Sequence, residues 1–322
     1  MKISIIGLGL IGGSIAQGLK SNHQITGFDP DKKTQELAKQ GGINIAPDLT
    51  TCVKEAELVI IAAPTTQSIE TLKELKKTNY SGFVTDICSV KAPLLTAAQG
   101  LNYVGTHPMA GSNESGFGSA NKDLFKDAPW AVSLSSDTKQ DALVAVIKII
   151  SELGGFVVPV DPHDHDESVV LSSHLAHVVA SAYAKSVGES EFAQLAQLLA
   201  GGSFRDLTRV TTSPPERTAE IVWPNRKSLS KVVENLGDNL SKLQNLLEQG
   251  SQADIEKFLA SASSLRTISD ATMTKVKNQQ GNKVISKTDD LVQDFLKHSK
   301  SRVIATGFEI TKENISYLVN EI

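Results

Sequence analysis

The chain has 322 residues and a formal net charge of −4 at pH 7, with a pI near 6.0, a balance that argues against nucleic-acid binding, which needs a basic face. That length leaves room for one to three domains and a sizeable core. Its two cysteines, Cys52 and Cys88, are no disulfide framework; with no apolar signal-peptide core and no apolar run long enough to span a bilayer, a reducing cytoplasmic location is expected.

The N-terminal thirty residues carry the densest signal. Lys2 to Ile6 is an Ile-rich run of strand length, Gly7, Gly9 and Gly12 have the G-x-G-x-x-G spacing, and Ile11 to Lys20 reads as a helix. A second strand, Gln24 to Phe28, ends in Asp29, about 20 residues beyond the first glycine. Gly7 allows a tight turn, Gly9 lets backbone approach a pyrophosphate, and Gly12 lets the helix pack closely on the strand. The helix N-terminus offers N–H groups and a positive dipole end to phosphates. A glycine triplet alone can mark only a tight strand–helix turn; strand, helix, second strand and acid in register predict a dinucleotide site. Asp29 accepts hydrogen bonds from ribose hydroxyls and repels a 2′-phosphate, so the expected cofactor is NAD and not NADP. The expected cofactor contacts are Gly7, Gly9, Leu10, Ile11, Gly12 and Asp29, with Ala63 and Pro64 where the next strand ends.

From Met1 to about Val160 strand-like and helix-like patterns alternate, the signature of a parallel sheet covered by helices. Leu58 to Ala63 is an all-apolar buried strand, followed by a helix over Thr66 to Lys77. Strands are then expected at Phe83 to Ile87, Tyr103 to Thr106, Ala131 to Leu134 and Phe156 to Pro159, and helices at Val90 to Ala98 and Asp141 to Leu153. After Asp161 apolar residues recur at helical spacing, predicting helices over Val169 to Val187, Phe192 to Leu199, Glu216 to Val222, Leu229 to Gln249 and Ile255 to Lys277. The fold class is thus an α/β Rossmann-type parallel-sheet domain, residues 1–160, followed by an all-helical domain, residues 161–280, whose amphipathic helices are expected to bury a face against a second copy. Residues 281–322 form a small C-terminal extension of unreadable role. It is expected to hold a helix at Thr288 to His298, short strands at Arg302 to Ala305 and Phe308 to Ile310, and a helix at Lys312 to Val319.

Ligands of open parallel sheets bind outside the carboxyl ends of the strands. Thr85-Asp86-Ile87-Cys88-Ser89-Val90-Lys91 and Gly105-Thr106-His107-Pro108-Met109-Ala110-Gly111 fall there. Ser172-Ser173-His174-Leu175-Ala176-His177 lies on the first long helix of the second half, with His174 and His177 on roughly one side. Gly201 to Arg209 places Arg205 and Arg209 after a glycine break. A lone histidine after a strand is commonly structural, Arg205 can pair with Asp206, and Lys91 can simply start and solvate a helix. Cys88 reads as a buried small side chain, with nothing nearby to depress its thiol pKa. Asp161 to Glu167 crowds imidazoles and carboxylates together, but His163 and His165 diverge on a helix and acids at a first turn complement its dipole; no metal site is expected.

In order and spacing these motifs resemble the prephenate/arogenate (cyclohexadienyl) dehydrogenase family, the NAD(P)-dependent enzymes of tyrosine and hence aromatic amino acid biosynthesis. The match runs from GLGLIGGS through D-x-x-SVK, G-x-HPMAG and SHLAH to GGSFRDLTR, covering roughly residues 1 to 280. The resemblance implies a Rossmann domain paired with a helical dimerisation domain, a homodimer, and an active site between the two. It implies NAD-dependent oxidative decarboxylation of prephenate to 4-hydroxyphenylpyruvate, with His107 as the group that takes the hydroxyl proton and Ser89 holding the hydroxyl or the imidazole. The resemblance further implies that Arg209 pairs with a substrate carboxylate and that Ser173 and His177 line the pocket, with Arg205 and Asn113 as further candidate substrate contacts. His174 has no assigned role. A similar His-Asp pair stands at the 161–167 junction in the family without a metal.

The chain departs from the family at Ser213-Pro214-Pro215-Glu216-Arg217, where many relatives have Asp-Pro followed by a large apolar residue and tryptophan, so closure there is expected to differ. In the loop after His107 an acidic residue is linked, in relatives, to choosing arogenate. Asn113 is uncharged, which points to prephenate, although Glu114 is adjacent. The tail is too short for a complete amino-acid-binding domain, and with a strand at Lys2 no fused mutase is expected. The alternatives are an arogenate dehydrogenase, a β-hydroxyacid dehydrogenase (which would carry a lysine where Ser173, His174 and His177 stand), and a non-catalytic NAD-binding sensor. Neither nucleic acid nor membrane is an expected partner.

Overall fold

A computed structural model describes residues 1–111, 114–277, 284–288, 290–301, 303–310 and 315–321. The N-terminal half runs β1 (Lys2–Ile6), α1 (Leu10–Leu19), β2 (Gln24–Phe28), α2 (Lys32–Gln40), β3 (Asn44–Ile45), α3 (Leu49–Val53), β4 (Leu58–Ile61), α4 (Thr65–Lys77), β5 (Phe83–Asp86), α5 (Ala92–Ala98), β6 (Asn102–Pro108), β7 (Pro129–Ser133), α6 (Gln140–Glu152) and β8 (Phe156–Pro159). The sheet order begins β3-β2-β1-β4-β5-β6, all in parallel register, the doubly wound order whose reversal between β1 and β4 opens a crevice at the strands' carboxyl ends. β4 is buried at all four residues because it is paired on both edges and covered on both faces, so it reads as a continuous apolar run. One face carries α1 and α6, through Ile15, Leu19, Leu143 and Ile147. The other carries α4 and α5, through Leu72, Leu75 and Leu94.

The expected parallel sheet runs from β3 through β6. β7 pairs antiparallel to β6, with His107 opposite Ala131, because the chain returns after His107 through a loop on the same side. β6 also extends to Pro108, which places His107 on the strand itself.

Beyond Asp161 come α7 (Pro162–Val169), a π-helical turn (Val170–His174), α8 (Leu175–Gly188), α9 (Ala193–Leu198), α10 (Gly202–Thr208), a 3₁₀ turn (Arg209–Thr212), α11 (Pro215–Val222), α12 (Arg226–Gln249) and α13 (Gln252–Lys277). The helix expected from Val169 therefore starts earlier, at a Pro in its first turn capped by Asp161, and is interrupted by the π turn. These helices leave large apolar side chains uncovered within one chain, among them Leu198 at 80% and Leu199 at 74% exposure, the mark of an interface surface.

The tail folds back as β9 (Val284–Thr288), α14 (Leu291–His298), β10 (Val303–Ile310) and β11 (Ile315–Glu321). β10 joins the sheet edge at β8 through Ala305 opposite Val157, and Phe295 and Tyr317 enter the core. Two expectations are corrected. The helix placed at Lys312 to Val319 is strand β11 from Ile315 onward, with residues 311–314 outside the described residues. The alternation of Ile315, Tyr317 and Val319 toward the core has the strand period of two. The two short strands are one, bulged between Thr306 and Glu309 at Gly307, whose φ is +59°, while Arg302 itself is outside the described residues. β9 was not expected from the sequence.

Candidate active site

At the carboxyl end of β1 the chain turns through Gly7 at φ +92°. A Cβ on Gly7 would meet the Ala62 carbonyl oxygen at 2.4 Å, and one on Gly12 would meet the Gly7 carbonyl oxygen at 2.0 Å. Both glycines are therefore fixed by the fold. Gly9 is different, with nothing within 4 Å of its would-be Cβ; it faces open space at the α1 N-terminus, where no side chain caps the helix. Unpaired N–H groups and clear space are what a pyrophosphate needs. Asp29, at the end of β2, accepts from the Leu8 N–H at 2.8 Å through Oδ2 and from the Asp31 N–H at 2.9 Å through Oδ1. Its carboxylate is thus anchored beside the glycine turn, so these residues fit a dinucleotide. Ala63 and Pro64 follow β4 on the same side, with Pro64 as N-cap of α4.

The next two strands end in a buried polar cluster. Asp86, on β5, is fully buried and accepts from Lys91 Nζ at 2.5 Å, from the Cys88 N–H at 2.8 Å and from the Tyr103 hydroxyl. Lys91 Nζ also donates to the Thr106 carbonyl at 2.6 Å, fixing the strand end that presents His107. Lys91 does stand at the start of α5, but the alternative in which its side chain is solvated fails, since that side chain is 0% exposed. Burial pushes the Cys88 thiol up to about 12, with the Asp86 charge adding to it. Cys52 and Cys88 are both free and buried.

His107 is half-buried, and burial first, then the neighbouring His165, Lys91 and His174, hold its pKa well below the usual histidine value. Its Nδ1 lies 3.0 Å from His165 Nε2, and among the described residues its Nε2 has no hydrogen-bond partner. His165 Nδ1 lies 2.8 Å from Asp166 Oδ1. Asp166 also accepts the main-chain N–H of Lys91 at 2.7 Å and of Ala92 at 3.0 Å, tying α7 to the start of α5. His165 and Asp166 were not among the residues expected at the site. The available signal was that His165 and Val169, four apart, share the inward face of α7, while His163 stays outside. Among the described residues, no three His, Cys, Asp or Glu side chains converge as metal ligands would.

Ser89 is half-buried in the turn between Asp86 and Lys91. Ser173 lies in the π turn and His177 in the first turn of α8, both partly exposed. His177 is held below the usual histidine pKa by burial and then by the positive charges of Arg217 and Arg209, so these two cations, the first unforeseen, stand near it. His174 is fully buried, with neither ring nitrogen hydrogen-bonded; burial, and next His177, lower its pKa to about 4. Arg205 is exposed and donates to the Gly201 carbonyl at 3.4 Å. Asn113 lies outside the described residues. Among them, no helix is long and apolar enough to cross a membrane.

Residues 15–159 match the family model described as prephenate dehydrogenase, nucleotide-binding domain, and residues 161–261 that described as prephenate dehydrogenase, dimerization domain. The chain is 30% identical over 277 residues to a prephenate dehydrogenase of Bacillus subtilis, covering 82% of this chain and 75% of the relative. It is 29% identical over 254 residues to a cyclohexadienyl dehydrogenase of Zymomonas mobilis, covering 75% and 87%. Among solved structures, Synechocystis arogenate dehydrogenase superposes with a TM-score of 0.70 at 28% identity, over 83% of this chain and 99% of that one. Prephenate dehydrogenase from Aquifex aeolicus, in complex with hydroxyphenyl propionate and NAD+, has the same fold with a TM-score of 0.76 at 24% identity, over 83% and 97%. With a nucleotide-binding sheet, a helical dimerisation region and these relatives, the chain is an oxidoreductase that belongs to the prephenate dehydrogenase family.

Proposed function

We propose that the protein is an NAD-dependent prephenate dehydrogenase of the cytoplasm, acting as a homodimer, with residues 1–160 binding the cofactor and residues 161–280 supplying substrate contacts and the dimer face. The observation that carries this reading is His107: a neutral imidazole at the carboxyl end of β6, at the same end of the parallel strands as the glycine turn, with Nε2 unengaged. Bound NAD supplies a hydride acceptor at the carbon bearing the substrate hydroxyl. His107 accepts the hydroxyl proton as that C–H bond breaks, the ring carboxylate leaves as CO2 with its bonding pair completing the aromatic ring and ending on the ring oxygen, and the proton returns from His107 to that phenolate oxygen. Ser89 holds the hydroxyl in register. Arg209 pairs with a substrate carboxylate, the bidentate contact guanidinium geometry favours, and Ser173, His177 and Arg205 complete the substrate side. Asp29 supports NAD over NADP, because a 2′-phosphate would meet its anchored carboxylate. Asn113, uncharged, supports a keto-acid side chain over an ammonium-bearing one. The test offers purified protein NAD with prephenate or L-arogenate and follows NADH. Faster NADH formation from prephenate is expected; turnover of neither, in protein that binds NAD, would overturn the reading.

A further inference from the structure

We propose that Asp166 and His165 are a positioning pair that fixes His107 as its Nδ1–H tautomer, leaving the Nε2 lone pair free for the substrate hydroxyl. This rests on the reading of His107 as proton acceptor. The argument runs from fixed donors. Main-chain N–H groups can only donate, so the Lys91 and Ala92 amides, at 2.7 and 3.0 Å, make both Asp166 oxygens acceptors. That carboxylate therefore faces its neighbours as an acceptor at both oxygens. The Lys91 ammonium does not compete for it, being engaged by Asp86 and the Thr106 carbonyl.

His165 Nδ1, 2.8 Å from Asp166 Oδ1, then carries its ring's proton. Burial keeps His165 below the usual histidine pKa, although the Asp166 hydrogen bond opposes this, so the ring is neutral and Nε2 bare. A bare Nε2 at 3.0 Å demands a donor, and His107 Nδ1 supplies it. A neutral ring has one proton to give, so His107 Nε2 is left as a lone pair. When His107 takes the hydroxyl proton, the new cation donates from Nδ1 into a pair ending on a carboxylate, as in other orienter–base systems. Neither His165 nor Asp166 touches the reacting atoms in this scheme.

The experiment uses the full-length protein, its NAD complex, and the variants His165→Leu and His165→Gln, the glutamine placing a carbonyl oxygen where Nε2 stands. We expect His165→Leu to lower kcat with prephenate by roughly 100-fold, while KM and NAD affinity stay within about twofold. His165→Gln should recover most of that loss. NMR of isotope-labelled histidine nitrogens in the wild-type protein should put the His107 proton on Nδ1, a readout requiring neither turnover nor a folded variant. Wild-type kcat in His165→Leu, a glutamine variant no better than leucine, or a proton on His107 Nε2 would each overturn the proposal. Failure of wild-type protein to oxidise either substrate would instead overturn the proposed reaction, with the tautomer still decided by NMR.

Discussion

Lys91 Nζ lies 2.5 Å from Asp86 Oδ2, and neither side chain has any exposure. The pair sits where β5 and β6 end, and the Lys91 main chain also holds Asp166, so one residue ties the two strand ends to the first helix of the second half. Removing the cation leaves a buried carboxylate with fewer partners. Lys91→Met is therefore expected to cost about 3–5 kcal/mol, read by urea unfolding. A loss below about 1 kcal/mol, the range of an exposed pair, would contradict this account.

Gly9 and Gly12 separate folding from cofactor binding. Gly9→Ala adds a methyl group to open space at a φ of −66°, so its Tm should match the parent while NAD affinity falls at least roughly tenfold, or 1.4 kcal/mol. Gly12→Ala drives a methyl group into the Gly7 carbonyl, and should lower Tm as well. Calorimetric titration and thermal melts on both variants check this. Unchanged NAD affinity in Gly9→Ala would remove the pyrophosphate from that turn.

Histidines set an acid limit on stability. His107, His165, His174 and His177 all have folded pKa values below 6.5, that of His174 about 4. Between the folded and unfolded values the unfolded chain binds protons that the native chain does not, so stability is complete above pH 6.5 and falls as pH drops. Each such group contributes a slope of about 1.4 kcal/mol per pH unit across its window. His174→Leu removes one of these groups together with two unpaired buried nitrogens, and should flatten the slope between pH 6 and pH 4, a range drawn from the ordinary value and the shifted one. Denaturant unfolding at several pH values tests it; an unchanged slope would contradict it.

The dinucleotide unit was legible because each part is local: strand, glycine turn, helix and acid lie within thirty residues and obey short-range sterics. His107 was legible through its place at a strand end. His165 and Asp166 were not, because their work depends on a contact between α7 and the start of α5 that neither segment specifies alone. The role of Lys91 stayed open for the same reason, since a lysine after a turn can be solvated until its carboxylate partner is placed. In the tail, Ile315 to Val319 suits either a short helix or a strand by composition, and pairing with β9 and β10 decides for strand.

The most direct test of the central claim is His107→Asn, assayed for NAD affinity and for turnover of prephenate. The account predicts NAD affinity within about twofold of the parent and a kcat lower by roughly 100-fold or more, because the ring acts on the reacting hydroxyl and not on the pyrophosphate. Parental turnover, or an equal loss of NAD affinity in a folded variant, would contradict it.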